Sequence, residues 1–132
     1  MAKIEQREGL KKGFKSFFGT EFFRSGLVHW VLIGSLILNI ANWGAMAYFI
    51  RPVDFPLVLH YNVYFGVDMI GAWWQLYFLP LIGLVILLIN AFLGYLFYGQ
   101  KERIVAHMLM LATFLVQVGI SIAVAGLLMI NY

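Results

Sequence analysis

The chain has 132 residues, 63% of them hydrophobic and 11% charged, with a formal net charge of +3. Soluble domains run at roughly 45–50% apolar and about 25% charged, so a water-soluble globule of this length would lack the charges to cover its apolar surface. An integral membrane protein is expected, and the absence of cysteine excludes disulfides, thiolate metal sites and cysteine nucleophiles together.

The chain opens on a basic arm, residues 1–26, with Lys3, Arg7, Lys11, Lys12, Lys15 and Arg24 against Glu5, Glu8 and Glu21. Beside an apolar run, such an arm marks the cytoplasmic side and touches anionic lipid rather than nucleic acid. Leu10, Phe14, Phe17, Phe18 and Phe22 recur at three- and four-residue steps, which predicts an amphipathic helix lying in the headgroup region. Its phenylalanine face would point down and Lys11, Lys12 and Lys15 would bind the lipid surface. Gly9, Gly13 and Gly19 lower its helix propensity, so ordering is expected on lipid.

Three apolar runs follow, each long enough for a hydrocarbon core about 30 Å thick, which takes roughly 20 helical residues. They run from Leu27 to Ile50, from about Trp73 to Tyr98 and from about Ile104 to Ile130. The domain organisation is therefore an arm, 1–26, and a three-helix transmembrane domain, 27–132. Ala45-Met46-Ala47 resembles a signal cleavage site, but the first run exceeds the roughly 7–15 residues of a signal core, so an uncleaved anchor is expected. Ser25-Gly26 and Gly99-Gln100 supply helix ends, and Pro80 is expected to kink the second helix near its first turns. Lysine and arginine are concentrated in the arm and recur in the 99–103 turn, whereas the 51–72 loop has only Arg51. That bias predicts a cytoplasmic N-terminus, with the 51–72 loop and the C-terminus outside a bacterial inner membrane.

Each span carries an uncharged polar stripe. Ser35, Asn39 and Asn42 share one face of the first; Gly83, Asn90 and Gly94 share one on the second; Thr113, Gln117 and Ser121 repeat every four residues on the third. Lipid offers an amide no hydrogen bond, so these faces are expected to turn toward one another or toward a neighbouring subunit. No carboxylate, lysine or arginine lies in mid-span, where ion-coupled transporters place such groups. His29 and His107 fall near the arm end and read as interfacial histidines rather than as metal ligands. No metal or cofactor is expected.

The loop between the first two spans, 55-FPLVLHYNVYFGVDMIGAWW-74, is the polar exception. Pro56 keeps the chain extended, and His60, Asn62 and Tyr64 alternate with Tyr61, Val63 and Phe65. Gly66 and Gly71 allow turns, and Asp68 between them is placed to accept N–H bonds from its own turn. An ordered extended piece and a tight turn are expected, with His60, Asn62 and Asp68 bonding backbone to fix its shape. The 51–72 stretch has no Ser, Thr or Cys nucleophile, so a non-enzymatic protein is expected.

Pro56, His60-Tyr61-Asn62 and Gly66-x-Asp68-x-x-Gly71, followed by an aromatic-led span containing proline, resemble a bacterial membrane domain family of unknown function. That family carries an extracytoplasmic P-x-H-[FWY]-N-x-x-G-x-x-D-x-x-G motif and is found in immunity-type regulators of the sporulation-delaying toxin. The resemblance covers about residues 40–90, and Ala72, Trp73 and Trp74 stand where the family commonly carries polar and basic residues. It implies a bacterial inner-membrane protein with an outward-facing His60/Asn62/Asp68 loop. The expected fold is all-α, and the leading functional expectation is an accessory or regulatory protein that contacts another membrane protein or itself. A transporter or channel component formed by oligomerisation, and a toxin-immunity or envelope-sensing protein, are the alternatives.

Overall fold

The apolar runs become three long helices because a helix satisfies the backbone N–H and C=O groups within its own segment, where apolar side chains offer them almost no other partner. The computed structural model describes residues 1–18 and 20–132. In chain order its elements are α1 (Ala2–Phe18), α2 (Glu21–Arg24), α3 (Gly26–Phe49), β1 (Leu57–Asn62), β2 (Gly66–Gly71), a 3₁₀ turn (Trp73–Tyr77), α4 (Phe78–Gly99) and α5 (Arg103–Asn131). Three helical stretches, Gly26–Phe49, Trp73–Gly99 and Arg103–Asn131, are long and apolar enough to cross a membrane. Only 22% of an 18-residue apolar window in each is buried, so most of their apolar surface faces outward.

α5 is the central helix. Both α3 and α4 pack along it, and they meet each other over a shorter length. The polar stripes face inward and close on one another. Asn39 Nδ2 donates to the Pro80 carbonyl (3.0 Å) and to Gln117 Oε1 (3.3 Å), while Asn39 Oδ1 accepts from Trp43 Nε1 (3.1 Å). Gln117 Nε2 donates to the Gly83 carbonyl at 2.7 Å. One turn away, Asn42 Nδ2 bonds Ser121 Oγ at 3.1 Å, and Ser121 Oγ donates to the Gln117 carbonyl. Toward the arm, Asn90 Nδ2 bonds Thr113 Oγ1 at 2.9 Å, and Thr113 Oγ1 donates to the Leu109 carbonyl. Asn39, Thr113 and Gln117 are at most 1% exposed, so these bonds replace water that the groups have lost. Ser35, at the same depth of burial, has a hydroxyl with no partner among the described residues.

Gly83 sets how closely α4 approaches this layer. A Cβ there would meet Ile120 Cδ1 at 2.8 Å and the Asn39 and Gln117 amide atoms at 3.1 Å. Pro80 lies in the first turn of α4, close to a change of helix type. The segment ahead of it, Trp73–Tyr77, is 3₁₀, and the α-helix starts only at Phe78. Gly99 ends α4, but the left-handed residue of the connection is Lys101 (φ 65°).

Apolar clusters fill the two ends. At the hairpin end, Met46, Ile50, Leu57, Leu76, Ile120 and Val124 pack together; at the arm end, Phe22, Val28, Ala106 and Met110 do so. Phe22 departs from expectation. It is 1% exposed and sits against Gly94, where a Cβ would meet its ring at 3.0 Å, with Tyr95 and Tyr98 around it. It therefore does not belong to the lipid-facing side of an amphipathic arm. Its short helix, α2, docks the arm on the bundle instead. α1 is helical despite Gly9 and Gly13, and residues 1–16 are exposed, including Leu10, Phe14, Lys11, Lys12 and Lys15. The part of the amphipathic pattern that falls on the side chains of Phe17 and Phe18 and on Gly19 lies outside the described residues.

Replacing Asn39 by alanine removes three bonds worth roughly 0.6 kcal/mol each and should cost about 2 kcal/mol. Ser35→Ala removes a buried hydroxyl without a partner and should leave stability unchanged or slightly raised. Unfolding titrations of the two variants in mixed micelles test this; equal losses would mean that the amide layer does not hold the bundle together.

Candidate functional site

The polar loop residues are brought together by a β-hairpin, so the all-α expectation is amended by two short strands. β1 and β2 pair antiparallel from Leu57↔Gly71 to Asn62↔Gly66, with irregular register around His60. The sequence supplies the turn. Asn62 Oδ1 accepts the Tyr64 N–H at 2.8 Å, which curls the chain back, and Gly66 takes φ +77°, a left-handed conformation that glycine adopts without a Cβ clash. The three residues between the strands, Val63, Tyr64 and Phe65, form the tip. They are 85%, 91% and 84% exposed.

Two expectations for the motif residues are corrected here. Asp68 lies within β2, not in a turn, and its carboxylate bonds His60 Nδ1 at 2.7 Å across the strands. His60 and Asp68 therefore bond each other rather than backbone; of the three, Asn62 is the one that holds a turn. The His60 and Asp68 side chains are 62% and 41% exposed, so water screens the pair and it adds little stability. Gly71 has a packing reason: a Cβ there would collide with Gln75 Oε1 and come within 2.5 Å of Leu59 Cδ1. The Gln75 oxygen needs that space because it accepts the Ala72 N–H at 2.8 Å, starting the 3₁₀ turn.

The hairpin is fastened to the bundle by a residue that the sequence pattern did not single out. Asn131, at the end of α5, accepts the Val58 N–H on Oδ1 (2.7 Å) and donates to the Val58 carbonyl through Nδ2 (2.8 Å). Its amide thus stands in for a neighbouring strand along the open edge of β1. Nδ2 also reaches the Leu127 carbonyl at 3.0 Å, which fixes the rotamer against its own helix. Leu57 completes the attachment by plugging the apolar cluster at that end of the bundle, at 8% exposure. Below the hairpin, between α4 and α5, runs an apolar groove of about 570 Å³.

The other sequence candidates sort differently. Ser35, Asn39, Asn42, Asn90, Thr113, Gln117 and Ser121 form the interior layers already described, away from the hairpin. His29 and His107 do not bond each other: His107 Nε2 lies 3.4 Å from Ser25 Oγ and its ring packs on Tyr98, while His29 packs on Trp30. Among the described residues no group of three or more His, Asp or Glu side chains is placed to hold a metal. Asn131 was missed because an amide near a span end reads as an interface anchor and no periodicity links it to a strand dozens of residues away; Gln75 was missed because its bond to the Ala72 N–H is local and leaves no spacing pattern.

The fold and site define a three-helix bundle of membrane-spanning length, capped at one end by a clamped β-hairpin. No protein-family model, curated protein or solved structure matches the chain.

The Asn131 clamp makes two bonds to Val58, each worth roughly 0.5–1.5 kcal/mol. Asn131→Ala should therefore speed amide exchange in β1 about tenfold or more while α3, α4 and α5 keep their protection. Unchanged exchange in β1, read by mass spectrometry, would show that the hairpin is held by other contacts.

Proposed function

We propose that this chain is a three-pass protein of the bacterial cytoplasmic membrane that acts without catalysis, as an accessory or regulatory protein presenting its hairpin to another membrane or envelope protein. The excess of lysine and arginine in the arm and the 99–103 turn supports a cytoplasmic N-terminus, with the hairpin and C-terminus extracytoplasmic. In that placement α1 lies on the inner surface, and Lys11, Lys12 and Lys15 meet anionic headgroups.

The observation that carries the reading is the tip. Val63, Tyr64 and Phe65 are nearly fully exposed on a hairpin whose base is fixed by Leu57 and Asn131. Rigid, projecting aromatic residues supply contact area at little entropic cost, and aromatics are enriched at protein interfaces. The interior supports helix adhesion over transport. Asn39 and Gln117 spend their amides on each other and on backbone carbonyls, which favours a packing role for them over lining a path between copies of the chain. A toxin-immunity or sensing role, suggested by the motif resemblance, would use this same hairpin, with the sensed factor as its partner.

Because the chain lacks cysteine, single reporters are clean. Phe65→Cys should react with a membrane-impermeant maleimide on intact cells and Lys12→Cys only after permeabilisation; the reverse pattern would overturn the topology. A photo-crosslinking residue in place of Tyr64 should give a discrete protein adduct in the same cells. Adducts to lipid alone would overturn the protein-contact reading.

A further inference from the structure

The groove under the hairpin has a polarity gradient. Its roof is Leu59 and His60 of β1, its walls include Phe78 and Ile82 of α4, and its floor is Ala123 and Gly126 of α5. The floor is low because the side chains there are small: nothing lies within 4 Å of where a Gly126 Cβ would be. Its span along α5 to Ile130 is about 10 Å at roughly 1.5 Å per residue. The volume, about 570 Å³, lies in the range of roughly 300–1,000 Å³ typical of small-molecule sites.

Three side chains with polar groups line the groove, His60, Tyr61 and Gln75, and all belong to its hairpin end; the Tyr61 hydroxyl is a further uncharged hydrogen-bonding group there. Gln75 Oε1 is committed to the Ala72 N–H, which leaves its NH₂ as a donor. His60 Nδ1 is committed to Asp68, which leaves Nε2 for a ligand. With Nδ1–H donating to the carboxylate, the His60 tautomer that carries no proton on Nε2 offers an acceptor there. A hydroxyl group matches His60 and Gln75, since it donates to Nε2 and accepts from the Gln75 amide. An anionic head does not match, because the Asp68 carboxylate lies against the imidazole and no lysine or arginine lines the groove.

We infer that the groove binds one acyl chain of an amphiphile with an uncharged, hydroxyl-bearing head, a monoacylglycerol-like lipid, with the head at His60 and Gln75 and the tail along Ala123 and Gly126. This goes beyond the protein-contact reading of the hairpin tip, from which the groove is separate. It rests on the bilayer only as the source of the lipid.

Native mass spectrometry of the full chain in detergent, with monomyristoylglycerol, myristate or myristoyl lysophosphatidate added, tests the inference without regard to topology or partner. Monomyristoylglycerol should form a one-to-one adduct that Gly126→Leu, which fills the groove, weakens about tenfold or more. Gly119→Leu, on the same helix, equally open but outside the groove, should leave the adduct unchanged and so control for insertion of a leucine. The two anionic amphiphiles should bind at least about tenfold more weakly than the glycerol ester, and His60→Ala should reduce that preference. Equal adducts for wild type and Gly126→Leu would remove the tail from the groove. Equal binding of all three amphiphiles would overturn the head assignment. A dimer without lipid adducts, abolished by Gly126→Leu, would give the groove to a second copy of the chain instead.

Discussion

Asn39 and Gln117 meet across three helices, in an interior where an amide without a partner costs several kcal/mol. Most of what α3, α4 and α5 do follows from satisfying that pair. α4 must come close enough for Gln117 to reach the Gly83 carbonyl, which requires glycine at 83. The first turn of α4 must present the Pro80 carbonyl to Asn39, which places the start of the helix at the hairpin. Trp43 closes the remaining acceptor of Asn39 from one turn along its own helix. The outer faces are then free to be apolar, and they are except near the helix ends, where His29, Tyr48 and Arg103 are exposed.

The hairpin end repeats the same device with different geometry. Side-chain amides replace secondary-structure partners where the backbone runs out: Asn131 acts as a strand for Val58, Gln75 takes the first N–H of the 3₁₀ turn, and Asn62 takes the turn N–H at Tyr64. Asn131 donates and accepts at once and so matches both the N–H and the C=O of Val58, whereas Gln75 and Asn62 use their carbonyl oxygen alone. The result is a two-stranded sheet that would be marginal in isolation but is fixed to a helix end. Its aromatic tip and the groove beneath it become distinct surfaces on one rigid cap.

Much of this architecture was legible in the sequence because it depends on periodicity. The three spans are set by run length, and the inward faces by the four-residue recurrence of Asn39, Thr113, Gln117 and their neighbours. The stripe cannot say which amide meets which, and it gave no warning that Ser35 would lie among them without a partner. The hairpin was half legible: the alternation from His60 to Phe65 and Gly66 mark strand and turn, but pairing with 66–71 depends on contacts across the loop. Asp68 shows the limit most clearly. Between two glycines it reads as a turn residue, yet the pairing of β1 and β2 carries it into a strand opposite His60. Phe22 fits the arm's apolar periodicity equally well, and only the notch at Gly94 takes it inside.

A bundle whose interior amides close on groups of the same chain needs no partner to pair them, so interaction is left to its surfaces. That claim is tested most directly by water-edited solid-state NMR of the labelled protein in lipid bilayers, which reads how fast water polarisation reaches each side chain. Transfer to the Asn39 and Gln117 amides should be slow, at the level of Met46 and Met110, while His60 and Asp68 polarise rapidly. Fast transfer to Gln117, matching that of His60, would contradict the account, because it would place water in the layer on which the fold depends.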